Sequence, residues 1–151
     1  MEELTPAALV DMGICPTCYD REHERCLYGD PTDRMLYEND RFECLLIGNP
    51  RAPGHTIIST KEHFKDMMDL PDELCREVYS FARQVMVALK VVYEAESVYL
   101  CTMCDGPMNH FHVQMIPRYD YERRGSRNFV KERGRYVEDR EKLLRLRQLL
   151  N

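Results

Sequence analysis

The chain has 151 residues, 44% hydrophobic and 31% charged, with a formal net charge of −5. That is long enough for one domain with a real core, and the composition excludes a disordered chain. The negative balance argues against bulk nucleic-acid binding, and no apolar run approaches the ~18–20 residues that span a bilayer.

An acidic N-terminus unlike a signal peptide places the expected location in the cytoplasm. Residues 5–12 are expected to form a short helix before a Cys15-Pro-Thr-Cys18 knuckle. "RMLYEND" and "RFECLLIG" read as two strands joined by a turn at Asn39-Asp40. "NPRAPG" is a Pro/Gly loop, and "HTIIST" a β-branched strand after it. From Asp69, with Pro71 at a helix start, apolar residues recur at Leu74, Val78, Phe81, Val85, Leu89 and Val92. Steps of three and four give one buried stripe on a long helix. "SVYLCTM" is a strand, "CDGPMN" a turn, and "HFHVQMI" a strand closed by Pro117. A leucine-rich amphipathic helix is expected around 138–150. The order β-β-β-α-β-β predicts an α+β domain with a mainly antiparallel sheet packed by one long helix, plus a C-terminal helical extension.

Seven cysteines include two Cys-x-x-Cys pairs, Cys15/Cys18 and Cys101/Cys104. An odd count at this spacing points to metal before disulfides. Cys44 and Cys75 fall at core-like positions and read as small buried hydrophobes. The other unusual stretch is "HFHVQMI". Side chains two apart share a strand face, so His110, His112 and Gln114 share one face and Phe111, Val113 and Met115 the other. A face that combines two of the chain's five histidines with an amide, beside a Gly-Pro turn, reads as the border of a site.

"GHTIISTKEH" (54–63), the long helix and "HFHVQMIPR" (110–118) together resemble the histidine-triad (HIT) superfamily of nucleotidyl hydrolases and transferases. The family signature is His-φ-His-φ-His-φ-φ, with φ apolar, and the resemblance covers roughly residues 14–119. The third triad position is Gln114, as in the branch that holds galactose-1-phosphate uridylyltransferase and diadenosine tetraphosphate phosphorylase. The resemblance implies a HIT-like fold. It also implies two parts: residues 1–119 as a HIT domain with an N-terminal zinc knuckle, and residues 120–151 as a basic loop and amphipathic helix.

The resemblance also implies roles. His112 takes the position of the nucleophile, which forms a covalent nucleotidyl-histidine, with its other ring nitrogen bound to a backbone carbonyl of its own strand. His55 matches a fourth active-site histidine near the phosphate. Gln114 can donate to a phosphate oxygen but cannot carry a proton. General-acid help is worth ~10²–10⁴-fold, so Gln114 favours good leaving groups such as phosphates. Zinc-containing members draw ligands from positions that are here Cys15, Cys18, His63 and His110, a closed structural site. Cys101 and Cys104 are rival ligands for a four-cysteine site; against that, Cys101 falls at a packing position of its strand and is expected to point into the core. Cys26 or His23 are possible substitutes.

Two positions depart from the family pattern. Pro107 stands where many members have a phosphate-binding Ser or Thr, so phosphate donors are sought in Asn109, Gln114 or the extension. The ribose-binding acidic or amide residue would fall at Ile47, and Asn49 is the expected replacement. In the extension, residues 118–135 carry seven Lys or Arg, and Ser126 and Arg127 are expected to close over phosphates. The expected function is cleavage of a nucleotide phosphoanhydride or phosphoramidate bond, with a nucleotide or dinucleoside polyphosphate as substrate. The alternative is a zinc-containing nucleotide-binding module with little turnover. A homodimer is expected, since most small family members pair.

Overall fold

The computed structural model describes residues 4–151. Alternation in "RFECLLIG" produces strand β2 (Phe42–Leu46), which buries Phe42, Cys44 and Leu46 and leaves Glu43 and Leu45 half-buried. The Asn39-Asp40 turn forms as expected. Asn39 Oδ1 accepts from the backbone N–H groups of Arg41 (2.8 Å) and Phe42 (2.9 Å), which folds β1 (Met35–Glu38) back onto β2. β3 (Thr56–Thr60), β4 (Ser97–Cys101) and β5 (His112–Arg118) complete a five-stranded antiparallel sheet in the order β1-β2-β3-β5-β4.

Two short helices precede the sheet, α1 (Pro6–Asp11) and α2 (Pro16–His23). The long helix is α3 (Asp72–Tyr93), with Pro71 as its N-cap. It begins later than Asp69 because Asp66 and Asp69 close a separate short turn over Met67–Asp69, each side chain accepting from the other's backbone N–H. All six residues of the expected apolar stripe are buried, together with Ala82 and Ala88. They pack against the sheet face that carries Phe42, Cys44, Ile58, Val113 and Met115. The C-terminal helix α4 (Arg140–Leu150) is capped by Asp139 and adds Leu143, Leu146 and Leu150 to the same core. Arg147 Nε donates to the Met35 carbonyl at 2.7 Å and ties α4 to β1, the edge strand.

Two details position the site. Pro117 does not close β5, which runs on to Arg118. β3 begins only at Thr56, opposite Met115, so no strand partner faces Pro117 on that side and its missing N–H leaves no gap. The Pro117 carbonyl instead accepts from Lys131 Nζ at 3.0 Å, which fastens the C-terminal extension to β5. The second detail is Gly54, at φ +86, where a Cβ would lie 3.2–3.3 Å from Tyr93, Leu89 and Pro117. Only glycine suits both that backbone and that space, so the chain turns tightly into His55 against the end of α3.

Candidate active site and metal centre

β5 lies between β3 and β4, so its side chains have neighbours on both flanks. Gln114 stands opposite Ile57 on β3 and Cys101 on β4, and His112 stands opposite Ser59. Opposed residues in an antiparallel pair point to the same face, and that face is turned away from α3. His112 is half-buried, while Gln114 and His110 are buried. The polar face is therefore largely buried rather than a solvated edge.

His112 Nδ1 lies 2.7 Å from the carbonyl oxygen of His110. A carbonyl only accepts, so Nδ1 carries the proton and Nε2 keeps its lone pair. The His112 carbonyl in turn accepts from the Thr102 hydroxyl at 2.7 Å, which holds the strand's first peptide against the end of β4.

A second relay fixes Gln114. The Arg51 backbone N–H donates to His55 Nδ1 at 3.0 Å, so His55 must carry its proton on Nε2. That nitrogen donates to Gln114 Oε1 at 2.8 Å. With its oxygen engaged, the Gln114 amide has its N–H groups left to offer an anion. His55 is almost fully buried. Burial pulls its pKa down to about 4, and the charges of Arg133, Arg51 and Lys131 push the same way, against the bond to Gln114. A neutral His55 holds Gln114 in place and is a poor proton donor near neutral pH.

The metal ligands expected from the sequence converge. The donor atoms of Cys15, Cys18, His63 and His110 all lie within 4.8 Å of one another. His110 Nδ1 is 3.5 Å from both sulfurs, and His63 Nδ1 is 3.5 Å from Cys18 Sγ. The two Nδ1 atoms are 3.3 Å apart. An ion bound at about 2.0–2.1 Å to nitrogen and about 2.3 Å to sulfur needs tetrahedron edges of about 3.3 Å between nitrogens and about 3.5 Å between nitrogen and sulfur. The donors thus suit Zn²⁺ in size, geometry and softness. His110 Nε2 donates to the Thr60 carbonyl at 2.6 Å, which turns Nδ1 towards the cluster. Burial draws the His110 pKa down to about 4, so its ring is neutral and ready to ligate. Burial, and Cys15 beside it, push the Cys18 thiol up to about 11, with the charge of Arg21 pulling the other way.

Sequence reasoning missed α2, which makes the knuckle work. Cys15 is its N-cap and Pro16 its first residue, so Cys15 and Cys18 project from one helical turn.

The remaining residues divide. Cys101 and Cys104 lie outside the metal cluster. Cys101, expected to point into the core, shares instead the face of Gln114. Cys44 is fully buried in the core and Cys75 packs against it, as expected. Asn109 has its amide N–H engaged by the Lys65 carbonyl at 2.6 Å, so it holds the loop before β5. Asn49 accepts from Arg133 at its carbonyl (2.9 Å) and its side-chain oxygen (3.5 Å). Ser126 and Arg127 are exposed on a short turn docked to β4, where Gly125 N–H donates to the Tyr99 hydroxyl at 3.1 Å. The arginine beside His55 is Arg51, whose place in "NPRAPGH" four residues before His55 was the available signal.

Comparison with known proteins agrees with this geometry. An uncharacterized HIT-like protein of Methanocaldococcus jannaschii is 27% identical over 99 residues, 64% of this chain and 77% of that one. A zinc-bound histidine triad family protein from Mycobacterium smegmatis superposes with a TM-score of 0.66 at 21% identity, covering 90% of this chain and 92% of the other. A hypothetical histidine triad nucleotide-binding protein from Sulfolobus tokodaii gives 0.64 at 20% identity, covering 90% and 89%. The HIT domain family matches residues 29–121, which hold every strand of the sheet, helix α3, His55, His112 and Gln114, and the chain therefore belongs to the histidine-triad family.

Proposed function

We propose that the protein cleaves a nucleotide phosphoanhydride or phosphoramidate bond through a covalent nucleotidyl-His112 intermediate. The observation that carries this reading is the 2.7 Å bond from His112 Nδ1–H to the His110 carbonyl, which leaves Nε2 as a nucleophile of fixed tautomer. Nε2 attacks the α-phosphorus of the substrate. A P–N bond forms, the bond from that phosphorus to the leaving group breaks, and the leaving group departs with the electron pair. Water or a phosphate oxygen then attacks the same phosphorus, and the P–N electron pair returns to Nε2. Gln114 N–H groups hold the phosphate oxygens while their charge grows.

Gln114 offers no proton, so leaving groups that depart as stable anions are favoured. This supports the uridylyltransferase and phosphorylase side of the family, with phosphate as a competent acceptor. Zinc held by Cys15, Cys18, His63 and His110 supplies structural closure, tying α2 to the loop before β5. A cytoplasmic setting, in which thiols stay reduced, suits these ligands.

The test is a panel of dinucleoside polyphosphates and nucleotide sugars, with and without added phosphate, quenched in alkaline denaturant. Intact-protein mass spectrometry is expected to show one added nucleotidyl group, mapped to the peptide that contains His112. Tight nucleotide binding with no adduct across the panel would instead support a binding module with little turnover.

We also propose a homodimer. Val87 and Val91 lie one helical turn apart and exposed on α3, and α4 leaves Leu144 and Leu149 exposed. The leucines buried within the chain (Leu143, Leu146, Leu150) do not serve a partner, so α3 carries more of this argument than the sequence suggested. Sedimentation equilibrium at micromolar concentration is expected to give twice the chain mass; a mass near 18 kDa excludes it.

A further inference from the structure

Most arginines of known geometry in this fold answer a carboxylate or several carbonyls. Arg21 pairs with Glu43, Arg41 with Glu77, and Arg34 and Arg147 donate to backbone oxygens. Arg51 differs. One of its Nη groups donates to the Lys131 carbonyl, its Nε is buried without a partner, and no ion pair engages it among the described residues. Its guanidinium acts electrostatically on His55 and on Cys101, which flank Gln114 on either side.

Arg133 stands close by. Its guanidinium donates to Asn49, it forms no ion pair among the described residues, and burial and the charge of Arg51 make its protonated form less favourable. Arg51, Arg133 and His55 line one cavity of about 610 Å³ between the 50–55 loop and the 132–139 segment. Glu132 and Asp139 also line the cavity, but among the described residues neither forms an ion pair with either arginine. Two neighbouring guanidiniums left unpaired repel each other, and a buried donor without a partner is costly. One anion relieves both.

We propose that Arg51 and Arg133 form an anion site next to Gln114 that holds the phosphate group not transferred to His112. This rests on the nucleotidyl-transfer reading and names its leaving-group class, a phosphate or phosphorylated fragment. The chemistry is complementary. Gln114 cannot protonate a leaving group, so the negative charge that develops as the P–O bond breaks must be met by fixed positive charge. A planar guanidinium meets it with paired donors. The C-terminal extension sets this up. Lys131 anchors to the Pro117 carbonyl, Glu122 and Asn128, and its own carbonyl orients Arg51.

The experiment uses the full chain carrying His112→Ala, so that nothing turns over, and measures calorimetric affinities for a nucleoside monophosphate and the matching diphosphate. The diphosphate is expected to bind about 10–100-fold more tightly, the size of one or two charge-assisted hydrogen bonds. Adding Arg51→Met is expected to abolish that preference and leave the monophosphate affinity within about threefold, while Arg51→Lys keeps part of it. A preference that survives Arg51→Met, or a loss shared equally by both nucleotides, overturns the anion site while leaving the nucleotidyl reading intact. Absence of binding by either nucleotide overturns the nucleotidyl reading and the anion site with it.

Discussion

Replacing His112 by alanine is expected to lower kcat/KM for a nucleotide phosphoanhydride at least about a hundredfold, with fold and metal content unchanged. The size follows from the role. A nucleophile that carries the covalent intermediate has no partial substitute, whereas a residue that only positions substrate leaves much of the path open. The selectivity follows from the geometry. The His112 side chain is half-buried on the face away from α3, lies outside the core, and its hydrogen bond within the protein goes to a backbone carbonyl two residues away. Its removal should therefore shift the thermal midpoint little. Steady-state kinetics, metal analysis and a melting curve on one preparation check the three parts together. Residual activity above about one hundredth of wild type would contradict a covalent role.

Cys15→Ser and His63→Ala are expected to remove zinc and to lower the melting temperature by several degrees or more. The four ligands come from α2, from the residues after β3 and from the residue pair before β5. A metal that joins segments so far apart in sequence stabilises the folded state and not the unfolded chain. The two variants should lose metal alike, because each opens the same closed tetrahedron. Cys101→Ser should keep its full metal content, since Cys101 lies outside the cluster and faces Gln114. Zinc retained in the first two and lost in the third would restore the four-cysteine alternative.

The parts of the fold legible in the sequence are those with a period. The α3 stripe, the β2 alternation and the His112/Gln114 face each repeat a spacing that only one backbone geometry satisfies. The Asn39 turn was legible because its side chain does the turning. Less legible were features that depend on what lies across a gap in sequence. Pro117 looked like a strand end because its tolerance depends on where β3 begins. Cys101 looked like a core residue because its facing depends on the β4–β5 register. In the site, the set Cys15, Cys18, His63 and His110 and the place of His112 were implied by the family resemblance, and the four donor atoms do converge. Arg51 was not implied, because its significance lies in missing partners, and a sequence does not show which donors go unanswered.

His110 belongs to both centres at once. Its ring faces Cys15, Cys18 and His63, while its backbone oxygen accepts a hydrogen bond from His112 Nδ1–H and so fixes that ring's tautomer. Thr60, which steadies the His110 ring, ends β3, the strand that begins directly after His55. If zinc fills this site and the proposed activity holds, a chelator is expected to inhibit without competing with nucleotide. Were zinc held by these ligands, its removal would leave the His110 ring tied only to the Thr60 carbonyl, and the expected result is a lower kcat with little change in KM. Zinc bound there would thus bear on the proposed phosphorus chemistry from a ligand only two residues along the chain from His112.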